Sequence, residues 1–95
     1  MNKAERLQAG ETFITVEHGN SMVPLIKSRQ EHRLAPCKLE DCKKGDIVYC
    51  KVNGRYYTHL VKAKDKKRGV QIGNNKGDIN GWTKTVLGKV VEVIK

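Results

Sequence analysis

The chain has 95 residues, 38% hydrophobic and 31% charged, with 19 Lys or Arg against 10 Asp or Glu for a formal net charge of +9. That length holds one domain over residues 1–95 with one modest core, and the composition suits a folded soluble protein rather than a disordered one. No run approaches the roughly 18 apolar residues of a membrane-spanning helix, and no signal-peptide pattern opens the chain, so the expected location is cytoplasmic.

Residues 1–10 read as a flexible tail or short helix with a turn at Gly10. Residues 11–18 are β-rich and partly alternating, which predicts a half-buried strand. The stretch Gly19-Asn20-Ser21-Met22-Val23-Pro24 breaks that strand. Gly19 tolerates backbone conformations that other residues resist, and Pro24 has no N–H and a fixed φ. Ser21 is thereby set on a bend with an exposed hydroxyl, as a nucleophile or as an ordinary turn serine. Leu25 and Ile26 suit one short helical turn packed beneath the bend. Residues 31–35 predict a short strand ended by Pro36. Residues 38–45 are polar, with Gly45-Asp46 as a turn in which Asp46 caps the next strand.

Residues 47–52 are apolar and β-branched and run into Asn53-Gly54, a strong hairpin signal. Residues 55–63 return as the partner strand, with Tyr57, His59, Val61 and Ala63 on one face. Residues 70–72 form another short strand. The stretch 73–83 holds three Gly and three Asn, which predicts a long loop. Residues 86–94 form the closing strand. The expected fold class is mainly β: a small coiled sheet or partly closed barrel.

Charge is unevenly placed. Residues 51–95 carry eleven Lys or Arg against three acids, a net +8. Lys62, Lys64, Lys66, Lys67 and Arg68 offer a patch for an acidic protein or nucleic acid. They equally suit a solvated, lysine-protected sheet edge. Cys37, Cys42 and Cys50 are odd in number and lack a C-x-x-C spacing. With His32 they make a poor zinc set, so reduced structural thiols are expected, with no metal and no cofactor.

The order of five blocks carries a resemblance. Gly19-x-Ser21-Met22-x-Pro24 comes first, then Gly45-Asp46 opening a hydrophobic strand, then Thr58-His59-Leu60-Val61. Gly73-Asn74-Asn75-x-x-Asp78 follows, and Val86-Leu87-Gly88-Lys89-Val90-Val91 closes. Together they resemble the type I signal peptidases and the LexA-type repressor cleavage domains, closest to the branch that pairs Ser with His. The resemblance spans about residues 13 to 94. It implies a LexA-like coiled sheet and a serine endopeptidase acting on an extended peptide with small side chains before the cut. Leu60 stands where that branch commonly has Arg, and Asn74 where it has Asp.

The chemistry follows the same residues. A serine hydroxyl is a weak nucleophile until a base takes its proton. His59 lies 38 residues on, and histidine is the side chain whose neutral ring is available as a base near neutral pH. A strand fixes that ring better than a loop, although a packed histidine on a half-buried strand reads the same way. The resemblance points to Asp78 as the group that orients His59, with Asn75 and Asn80 as other orienters. The backbone N–H of Ser21 is the expected oxyanion donor. The alternative is an inactive domain of the same fold that binds a protein or nucleic acid through its basic half.

Overall fold

The computed structural model describes residues 1–95. One short helix, α1 (Lys3–Gln8), precedes seven strands: β1 (Phe13–Thr15), β2 (His32–Pro36), β3 (Ile47–Val52), β4 (Arg55–Asp65), β5 (Gly69–Gly73), β6 (Ile79–Thr83) and β7 (Val86–Val93). They form a single sheet in the order β1-β2-β7-β3-β4-β5-β6, with every neighbouring pair antiparallel. β1 and β6 are the two edges, so the sheet is open rather than a closed barrel. It coils enough for the Thr83 hydroxyl to donate to Lys51 O at 2.6 Å, joining the end of β6 to β3.

Period-two alternation explains the larger core. Val48, Cys50 and Val52 of β3 point inward and meet Val61, Val70, Ile72, Val86 and Cys42. The other face is covered by α1, whose Leu7 packs with Phe13 and Leu34, flanked by Tyr49, Leu87 and Val90. Asn2 starts this helix through a capping box with Glu5, which satisfies two otherwise free backbone donors. Close approach at β7 requires a glycine: a Cβ on Gly88 would stand 2.8 Å from Leu7 Cδ1 and 2.9 Å from Ala35 O. All three cysteines are free. Burial pushes the Cys50 thiol up to about 12, which makes it an inert core filler. No group of three or more His, Cys, Asp or Glu is arranged to hold a metal ion.

Three expected elements differ from the observed ones by more than one residue at an end. The first strand covers only Phe13–Thr15, because residues 16–18 run on beyond the end of β2 without a ladder partner. β4 continues to Asp65, two residues further than expected, because β5 pairs with it up to Asp65↔Gly69. The stretch expected as one long loop contains β6. It is a tight turn at Asn74–Asp78 followed by an edge strand paired with β5. A bulge at Gly73 permits that turn: a Cβ there would stand 2.5 Å from Asp78 O.

Candidate active site

The chain leaves β1 extended and turns at Gly19, whose φ of 109° lies in the region that favours glycine. Two bonds close the loop behind the serine. Arg29 N donates to Glu17 O at 2.7 Å, and Gly19 N donates to Ser28 Oγ at 3.1 Å. A single helical turn follows, with Ile26 N donating to Met22 O at 3.0 Å, and the buried Met22 and Ile26 anchor it to the body. From the β5–β6 loop, Asn75 N donates to Ser21 O at 2.8 Å and Asn75 Nδ2 donates to Val23 O at 2.9 Å. The serine is therefore held from behind by its own carbonyl while its side chain stays half-buried.

His59 sits in the middle of β4, opposite Val48 of β3, and is 9% exposed. Its Nε2 lies 3.1 Å from Ser21 Oγ, and its Nδ1 lies 2.7 Å from Asn80 Oδ1. Asn80 Oδ1 can only accept, so the proton of the neutral ring belongs on Nδ1. Nε2 is then left with a lone pair facing the serine hydroxyl. Tyr57, two residues earlier on the same face, stacks on the imidazole at 4.9 Å between ring centroids and 29° between planes.

Asn80, not Asp78, is the group on the far nitrogen of His59. The exposed Asp78 carboxylate accepts from Asn74 Nδ2 at 3.1 Å. Its backbone N–H donates to Asn74 Oδ1 at 3.0 Å, and its carbonyl accepts from Asn74 N at 3.0 Å. These bonds build the turn that presents Asn75 to the serine and Asn80 to the histidine. Two residues of strand, rather than chemical type, decide which side chain reaches the ring.

The N–H groups of Ser21 and Met22 donate to no acceptor in the chain. Both residues line a cleft of about 210 Å³ whose walls are His18, Gly19, Lys27 and Tyr56 on the rim and Glu17, Ile26, Tyr57, Thr58 and His59 within. Free main-chain donors beside a serine hydroxyl can receive a developing oxyanion.

Glu17 braces the cleft wall. Its Oε1 accepts from Lys3 Nζ at 2.6 Å and from Thr58 Oγ1 at 2.6 Å. Burial by itself would raise this carboxyl. The hydrogen bonds from Lys3 and Thr58 and the Lys3 charge outweigh burial and hold the group below its ordinary value. Helix α1, the segment leading to Ser21 and strand β4 thus meet at one carboxylate. Pairing of a lone Glu with a residue 41 positions away leaves no pattern in a sequence.

The basic half is partly committed to the fold. Lys64 Nζ donates to the carbonyls of Leu39, Glu40 and Cys42 at 3.1, 3.3 and 2.6 Å. Arg68 is bonded to Asp65 at 2.7 Å and lies over the Trp82 ring at 4.0 Å. Lys62, Lys66 and Lys67 form no salt bridge. His32 lies outside the cleft lining, fully buried, with Nδ1 on Gln30 O at 3.1 Å and no partner for Nε2. No family model matches the chain, and no curated protein matches it.

Proposed function

We propose that this chain is a serine endopeptidase domain of the signal-peptidase and LexA type, acting on an extended peptide through Ser21 and His59, with Asn80 as the orienting residue. The observation that carries the reading is the relay of two contacts, 3.1 Å from Ser21 Oγ to His59 Nε2 and 2.7 Å from His59 Nδ1 to Asn80 Oδ1. Ser21 Oγ attacks the scissile carbonyl carbon as Nε2 takes its proton. The carbonyl oxygen becomes an oxyanion and draws on the free N–H groups of Ser21 and Met22. The imidazolium then returns the proton to the departing amine, leaving an acyl-serine. Water, deprotonated by the same nitrogen, releases the acid. A peptide reaches the serine by lying along the unpaired edge of β1, whose chain runs directly into residues 16–21.

Asn80 fixes the tautomer but brings no negative charge to the imidazolium. Replacing a triad carboxylate by an amide has cost about 10⁴ in turnover where the tautomer was lost. Here the tautomer is retained, so slow but measurable turnover is expected. The neutral Asn80 is also the one observation that favours a peptide-binding domain without turnover. Labelling by a fluorophosphonate separates the two. Wild type should acquire one adduct at Ser21, Ser21→Ala none, and hydrolysis of a peptide library at pH 8 should follow the same order. Absence of both adduct and hydrolysis in folded wild type leaves only the binding reading. Ser21→Ala should unfold within about 0.5 kcal/mol of wild type, because a half-exposed turn hydroxyl contributes little to stability.

A further inference from the structure

The resemblance implies small residues before the cut and is silent on charge, but the cleft is not electrically neutral. Its single carboxylate, Glu17, is cancelled by Lys3 Nζ at 2.6 Å. The second Glu17 oxygen makes no bond, yet the adjacent ammonium removes most of the field it would offer a cationic side chain. Lys27 stands on the rim, exposed and in no salt bridge. Its backbone is fixed by Gln30 Oε1, which accepts from Lys27 N at 3.0 Å, so the side chain leaves from a defined point beside the serine turn. Tyr56, another exposed residue lining the cleft, carries Lys51 Nζ at 5.3 Å from its ring centroid. Lys51 likewise forms no salt bridge.

Building on the peptidase reading, we infer that this cleft selects peptides carrying an Asp or Glu side chain within a residue or two of the scissile bond, and that Lys27 is the residue that reads it. The net charge of +9 adds a long-range field of the same sign, which speeds arrival of an acidic peptide. Lys27 supplies the local preference by pairing with the carboxylate. Such a pair at an exposed rim changes affinity by up to about five-fold.

The test uses three peptides identical except for Asp, Gln or Lys at one position, scanned over the two residues on each side of the small-residue cleavage site. Binding of each labelled peptide to Ser21→Ala is read by fluorescence anisotropy at low ionic strength, and turnover by wild type is read in parallel. The expected order at one position is Asp, then Gln up to about five-fold weaker, then Lys. Added salt should compress the differences. Lys27→Glu should reverse the order. Equal binding of the three peptides, a preference for Lys, no binding at all, or an order that survives Lys27→Glu overturns the inference. If the order appears in binding while wild type cleaves nothing, the charge preference stands and the peptidase reading falls.

Discussion

On the peptidase reading proposed above, Asn80 on the far nitrogen of His59 is the residue whose chemistry most limits the site. A carboxylate there would hold the same tautomer and also stabilise the imidazolium formed during attack. Asn80→Asp should therefore raise kcat by about ten-fold, a fraction of the effect a triad carboxylate can exert. It should also shift the rising limb of the pH–rate profile to higher pH, because a nearby negative charge favours the protonated ring. Kinetics with a cleaved peptide, together with titration of the His59 ring proton by NMR, check both effects. A faster enzyme with an unmoved limb would mean that the substitution acts on packing instead. Asn80→Ala should slow turnover without moving substrate binding, since the ring loses its restraint while the cleft keeps its walls. Reading the sequence placed Ser21 and His59 at the centre through the order of five blocks that resembles the signal-peptidase and LexA type. The G-x-S-M-x-P bend and the strand histidine taken alone equally suit a turn serine and a packed histidine. The choice between Asp78 and Asn80 was not legible. It depends on the turn at Asn74–Asp78 and the bulge at Gly73, and both positions offer an oxygen acceptor.

The β5–β6 hairpin is the element on which the site depends. Its loop holds the serine through Asn75, and its second strand holds the histidine through Asn80. Gly73→Ala tests this coupling. The added methyl would meet Asp78 O, with Ile79 Cδ1 at 3.1 Å, so the turn has to move. Overpacking against backbone costs about 1–3 kcal/mol. A lower midpoint in denaturant should come with a larger loss of fluorophosphonate labelling than the unfolded fraction explains. Labelling that falls only in step with stability would leave the hairpin a purely structural role. The hairpin Asn53-Gly54 was readable because that dipeptide specifies its turn locally. β6 was not readable, because Asn80-Gly81 interrupts the β-favouring Ile79, Trp82 and Thr83 inside a stretch rich in Gly and Asn. It is a strand because β5 supplies a ladder, at Val70↔Thr83, Gln71↔Trp82 and Ile72↔Gly81.

At the scale of the molecule the basic surface and the acid stability both depend on which charges are already bonded. Lys64 is held by three carbonyls and Arg68 by Asp65 and Trp82, so the patch read from residues 62–68 keeps fewer free cations than its sequence suggests. Single-stranded and duplex oligonucleotides should consequently bind only weakly at low salt, with a shallow dependence on salt concentration, since each phosphate contact steepens that slope by nearly one unit. Gel-shift titrations measure this directly, and a steep slope with tight binding would restore the nucleic-acid reading. Glu17 governs the acid side. Its folded pKa lies below the ordinary value of 4.5, because the hydrogen bonds from Lys3 and Thr58 and the Lys3 charge outweigh burial, which acts in the opposite direction. A carboxyl depressed in the folded state stabilises the fold at pH values above the unfolded pKa. That contribution fades as pH drops from about 4.5 through the folded value, where protonation breaks the clasp among α1, residues 16–17 and β4. Asp65 is depressed as well, by its hydrogen bonds from Arg68 and Lys67, so wild type alone cannot apportion the loss. Glu17→Gln isolates it. The amide keeps an oxygen for Thr58 but has no charge to protonate. The variant should be less stable than wild type at pH 7, with the difference shrinking toward zero as pH falls below the folded value. Urea unfolding of both proteins at stepped pH measures that difference, and a gap that stays constant from pH 7 to pH 3 would mean that Glu17 contributes packing rather than charge.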